Sequence, residues 1–137
     1  MEMIVDFPGG ARVDTHFGDY TVMTDQPPQG GGQGSAPTPF AVFLASIGAC
    51  AGIYVLGFCK QRGLSPEGVR IVQRMHSGPF SQGLVERLEL EIQVPPEFPE
   101  KYHEALIRAA GMCLVKRHFE KPPEFDIHTE VVAVSNS

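Results

Sequence analysis

The sequence predicts an α+β domain in which antiparallel strands surround one long apolar helix. Two observations carry this. Residues 35–63, SAPTPFAVFLASIGACAGIYVLGFCKQRG, form an uncharged run up to Lys60, with helix start and stop signals at its ends. Residues 84–94, LVERLELEIQV, alternate apolar and polar side chains as a half-buried strand does. With the short strands flanking them, the element order is βββ–α–ββ–α–β, mostly antiparallel, in a single domain over residues 1–137.

The first three strands fall within residues 2–24. Met3, Val5 and Phe7 alternate with Glu2, Ile4 and Asp6 before Pro8-Gly9-Gly10 turns the chain. Arg12–Phe17 and Tyr20–Thr24 follow, joined by Gly18-Asp19 as a short hairpin turn. Residues 25–37, DQPPQGGGQGSAP, read as a flexible connector, because their glycine spacing fits neither GxGxxG nor GxxxxGK[ST].

Thr38 is the expected N-cap and Pro39 the first residue of the central helix, which runs to about Arg62 and stops at Gly63. Ala41, Ala45 and Ala49 recur every four residues, so another backbone can approach closely. A helix apolar all round is buried on all sides. One copy of so short a chain can hardly cover it, which points to an obligate homodimer. Leu64–Gly68 is a turn, Val69–His76 a strand, Ser77–Gly83 a loop and Leu84–Val94 the clearest strand, ended by Pro95-Pro96. Residues 99–116 are expected as a second helix, with Cys113 on its buried face. Phe125–Val134, FDIHTEVVAV, is expected as the last strand.

Composition limits the function. At 137 residues, one domain buries roughly 70 % of its unfolded surface and needs no disulfide staples. A net charge of −5 without basic runs argues against a nucleic-acid partner. Three cysteines, without dense spacing or a signal-like start, place the chain in the reducing cytoplasm, where any disulfide is transient. Residues 40–59 are uncharged over membrane-spanning length, but Gly, Ala, Ser and Cys dilute them and the flanking strands need a helix to cover them. The expectation is therefore a buried helix and no membrane. The five histidines lack ligand spacing, so neither a metal nor an organic cofactor is expected.

Cys50 lies in the middle of the central helix, and Cys113 falls in the other strong helix candidate. Peroxide reacts with a thiolate rather than a thiol, and a neighbouring cation lowers a thiol's pKa. The sulfenic acid so formed condenses with a second thiol to a disulfide. The competing reading is that both are small core residues, since free cysteine is commonly buried. Cys59, nine residues after Cys50, faces half a turn away and reads as packing.

These residues resemble the osmotically inducible protein C / organic hydroperoxide resistance family. The resemblance rests on Gly30-Gly31-Gly32, Pro37-Thr38-Pro39, Leu44-Ala45-Ser46-Ile47-Gly48-Ala49-Cys50 and Cys113-Leu114-Val115, and on element order along the whole chain. It implies a thiol-dependent peroxidase, with Cys50 the peroxide-attacking cysteine and Cys113 the resolving one. Arg12, in Pro8-Gly9-Gly10-Ala11-Arg12, matches the thiolate-stabilising arginine. It also implies an intertwined homodimer with active sites at its interface, organic hydroperoxide substrates, and a dithiol reductant such as a protein-bound lipoyl group.

One departure matters. The family places a glutamate just after the helix-starting proline, where it orients the arginine. Here Phe40 and Ala41 stand there, and no acid lies between Asp25 and Glu67. Glu124, Asp14 and Asp19 are the alternatives for that role. Phe40 and Phe43 are expected to line an apolar substrate mouth near Cys50. The alternative function is a non-catalytic protein that holds a small apolar ligand in the dimer cleft.

Overall fold

The computed structural model describes residues 1–133. Three strands, β1 (Ile4–Gly9), β2 (Arg12–Phe17) and β3 (Tyr20–Thr24), pair antiparallel in the order β1-β2-β3. The turns need glycine where the sequence has it. Gly10 and Gly18 take φ of +59° and +55°, left-handed values that favour glycine. They set Gly9 opposite Arg12 and Phe17 opposite Tyr20. Among the described residues this sheet pairs with no further strand, and Ile4, Val5, Phe7, Tyr20 and Met23 are exposed on it.

The expected flexible connector is instead tied around one buried carboxylate. Asp25 accepts backbone N–H groups from Gln26, Gln33 and Ser35 at 2.7, 3.3 and 3.0 Å, and the Ser35 hydroxyl at 2.6 Å. Gly32 passes so close that a Cβ there would sit 2.0 Å from the Gln26 carbonyl oxygen. The glycines thus let the loop close on Asp25.

Helix α1 spans Pro39–Gln61. The Thr38 hydroxyl accepts the Ala41 N–H at 3.1 Å and caps its start. Gly63, at φ +64°, ends it, with the Leu64 N–H returning to the Cys59 carbonyl at 2.9 Å. The hairpin of β4 (Arg70–His76) and β5 (Arg87–Gln93) covers one side, with Ile71 opposite Ile92. Ala51, Val55, Phe58 and Cys59 of α1 form the core with Phe98, Leu106 and Ala110, and Ile71, Leu90 and Ile92 pack against them. The outer face of the hairpin is polar, where Arg74 bridges Glu89 and Glu91.

The rest of α1 is open in a single copy. Ile53, Phe40 and Phe43 are 60, 52 and 41 % exposed. The expected second helix is broken. A short 3₁₀ turn, Glu100–Tyr102, leads into α2 (His103–Ala110), and α3 (Leu114–Glu120) starts afresh after Gly111-Met112. Cys113, extended at φ −61° and ψ 141°, is the N-cap of α3 rather than an interior helical residue. The last expected strand is not formed over its described residues, and Val134 lies outside them. Phe125, Ile127 and Val131 are 84, 88 and 100 % exposed, with no strand partner among the described residues.

Candidate functional site

The structure brings Cys50 and Cys113 together. Cys50 is half-buried on α1, and Cys113 is buried where α3 begins against it. The break after α2 makes this possible, because an uninterrupted helix would have left no free N–H groups at this point. The Val115 N–H lowers the Cys50 pKa most, and the Cys113 thiol and the Leu114 N–H add to it, against desolvation. Burial pushes the Cys113 thiol up, and the neighbouring Cys50 adds to the rise while the Lys116 N–H opposes it. The two sulfurs are therefore unequal, with Cys50 the readier thiolate. Cys59 is fully buried and its pKa is raised by burial alone, as expected of a packing residue.

The anion-stabilising groups at Cys50 are thus backbone amides of α3, which the sequence reading missed. The signal was Gly111 two residues before Cys113, a helix stop followed by a capping position. Arg12 is not among the groups that set the Cys50 ionisation within one copy. Its Nη2 instead donates to both oxygens of Asp14, at 3.0 and 2.9 Å, and its buried Nε has no acceptor among the described residues.

An apolar cavity of about 570 Å³ lies beside Cys113, and Cys50 does not line it. Ile47, Leu90, Ile92, Ile107 and Phe119 line it, Cys113 forms part of its wall, and Lys116 and Glu91 add polar groups. Phe40 and Phe43 do not line this cavity. They stack on each other at 5.8 Å, and Phe43 reaches it only through Phe119, 5.8 Å away. Phe119 is the aromatic wall that the sequence reading did not single out. His118 Nδ1 donates to the Leu114 carbonyl of its own helix at 2.8 Å.

A family model described as OsmC-like protein matches residues 32–128. The chain belongs to the OsmC-like protein family. The match begins after the first sheet, so Arg12 and Asp14 lie outside it. No curated protein sequence matches the chain. Among solved structures, an OsmC-like protein from Mycoplasma pneumoniae superposes with a TM-score of 0.64 at 10 % identity, over 88 % of this chain and 87 % of that one. A Psychrobacter arcticus protein assigned to osmotic stress and detoxification response gives 0.65 at 18 %, over 84 and 85 %. An organic hydroperoxide resistance protein OsmC from Legionella pneumophila gives 0.51 at 20 %, over 87 and 89 %. At these identities the likeness is one of fold.

Proposed function

We propose that this OsmC-like protein is a cytoplasmic thiol-dependent peroxidase acting on organic hydroperoxides through Cys50 and Cys113. The observation that carries the reading is the unequal sulfur pair: a half-buried thiol whose ionisation backbone amides favour, beside a buried thiol that they favour less. The Cys50 thiolate attacks the terminal peroxide oxygen. The O–O bond breaks, ROH leaves after taking a proton, and Cys50 becomes a sulfenic acid. The Cys113 sulfur then displaces hydroxide, which leaves as water with the Cys113 proton, and a disulfide forms. A dithiol reduces it by two exchange steps and is itself oxidised to a disulfide. The apolar cavity beside Cys113 suits the alkyl or aryl part of such a substrate better than hydrogen peroxide.

The working unit in this proposal is a homodimer. The open face of α1 and the unpaired apolar residues Phe125, Ile127 and Val131 are surfaces that a second copy would cover. Arg12 would then act on a thiolate across that interface. The chain is read as having no membrane, nucleic-acid, metal or cofactor partner.

Intact mass after one equivalent of cumene hydroperoxide tests the chemistry. A loss of two hydrogens in the reduced wild type, absent in Cys50→Ser, is expected. No change over minutes would favour the second reading, a binding protein whose cavity of about 570 Å³ holds an apolar ligand. Native mass spectrometry would then show retained ligand mass, and it reports the dimer in the same experiment.

A further inference from the structure

We propose that the groove between α1 and α2 binds an amphiphilic carboxylate, an alkyl or aryl chain with one anionic end, and that Arg62 and Arg108 hold the carboxylate. The groove has a volume of about 760 Å³, the size of a small-molecule site. It shares no lining residue with the cavity beside Cys113, so it is a second site.

The run of the two helices sets its polarity. The Tyr102 ring meets the Phe58 ring edge-on at 5.9 Å, and Cys113 meets Cys50 further along, so α2 lies antiparallel to α1. Ile53 and Met112 make the end nearest the cysteines apolar, and Tyr54, Ala105 and Ala109 continue it. Gln61 and Arg62 close the other end, and Arg108 stands on the α2 wall. Ile53 and Arg62 are nine residues apart, which is roughly 13 Å along the helix axis. That length suits a chain laid along α1 with its charged end at the arginines.

These cations have no carboxylate of their own. The Arg62 guanidinium lies over the Phe58 ring, 3.6 Å from its centroid, and 5.8 Å from that of Tyr102, which the Lys101 Nζ approaches at 5.0 Å. Its Nη1 donates to the Phe58 carbonyl at 3.4 Å. Stacking on an aromatic ring holds the guanidinium fork in place, and that fork matches a carboxylate. Among the described residues the arginines and lysines in ion pairs are Arg12, Arg74 and Lys116. Arg62, Lys101 and Arg108 are not among them, although Glu104 lies one turn before Arg108 on α2. In a chain of net charge −5, this is a local gathering of positive charge against the overall sign.

Gly57 keeps the groove open. A Cβ there would meet nothing within 4 Å, although glycine weakens a helix interior. Of Phe40, Phe43 and Ile53, which leave α1 open, only Ile53 borders the groove, so a second copy on that face need not fill it.

The test is fluorescence titration of the reduced protein with dansylaminoundecanoic acid and with its methyl ester, in wild type, Arg62→Gln, Arg108→Gln, Gly57→Leu and Ile107→Trp. Wild type is expected to bind the acid about tenfold more tightly than the ester, the worth of a charge-assisted contact. Arg62→Gln and Arg108→Gln should each weaken the acid about threefold, as exposed ion pairs do, and leave the ester unchanged. Gly57→Leu fills the groove and should abolish binding of both probes. Ile107→Trp narrows the cavity beside Cys113 and should leave both unchanged. Equal affinity for acid and ester overturns the proposal, and so does loss of binding in Ile107→Trp with retention in Gly57→Leu. A wild type that binds neither probe also overturns it, and the groove then belongs to a second copy if Gly57→Leu elutes as a smaller species in size exclusion.

Discussion

The Cys113 Sγ accepts the backbone N–H of Lys116 at 3.2 Å, so the second sulfur of the pair is also the N-cap of α3. Sulfur chemistry and local helix stability are therefore linked. A disulfide to Cys50 redirects Sγ and makes it a poorer acceptor. Oxidation is expected to free the Lys116 amide, which hydrogen exchange of reduced and diamide-oxidised protein would read at that residue. Equal protection in both states, with the disulfide confirmed by mass, would break the link. In the reduced protein, Cys113→Ala should cost about 1 kcal/mol as a lost cap, and Cys113→Ser should cost less because serine caps well. Thermal unfolding of the two variants separates the cases.

The asymmetry of the thiols predicts an order of reaction. Cys50 is held below the ordinary thiol range by the Val115 N–H first, and Cys59 and Cys113 are held above it by burial. At neutral pH, iodoacetamide should label Cys50 well before the other two, as peptide mapping would show. As pH rises, the Cys50 rate should level off below the pH at which a free thiol does. Faster labelling of Cys113 would contradict the arrangement.

Asp25 makes stability depend on acid. Its pKa falls to about 2, chiefly through the Ser35 hydroxyl and then the Ser35 amide, with Gln26 and Gln33 adding to it. A carboxylate with a depressed folded pKa contributes stability that is present above its unfolded pKa, about 3.9, and lost as pH falls through the folded value. The wild type should therefore lose Tm between about pH 4 and pH 2. Asp25→Asn should start lower at pH 7 and show a smaller decline across that window. Parallel curves for the two proteins would mean that the loop does not depend on this charge.

Much of the fold was legible because its signals are local. The glycine turns at Gly10 and Gly18, the Thr38 cap, the Gly63 stop and the alternation of Leu88, Leu90 and Ile92 each act within a few residues of themselves. The helix break at Gly111 was hidden because apolar spacing continues through it, so periodicity alone joins α2 to α3. The ordering of the Pro/Gly loop was hidden because it depends on Asp25 meeting Ser35, ten residues away. Phe125–Ala133 has strand-like alternation but no partner among the described residues, and alternation predicts a face rather than a neighbour. At the site, the two cysteines are paired through the family resemblance, whereas the amides of Leu114 and Val115 are signalled only indirectly, by Gly111 before Cys113, since backbone donors carry no side-chain signature.

Gly48 and Gln73 should prove coupled. The Gln73 Nε2 donates to the Leu44 carbonyl at 3.0 Å, tying β4 to α1 less than two turns before Cys50. A Cβ on Gly48 would lie 2.5 Å from the Gln73 Oε1, so the amide needs the missing side chain. Glycine inside a helix ordinarily costs about 1 kcal/mol relative to alanine. Gly48→Ala alone should return little of that, because Gln73 must swing away and give up a hydrogen bond worth about 1 kcal/mol. In a Gln73→Ala background the same change should stabilise by the full helix-propensity gain. A double-mutant cycle by denaturant unfolding should thus show a coupling of about 1 kcal/mol. Additivity within about 0.5 kcal/mol would mean that the glycine serves the helix seam and not the glutamine.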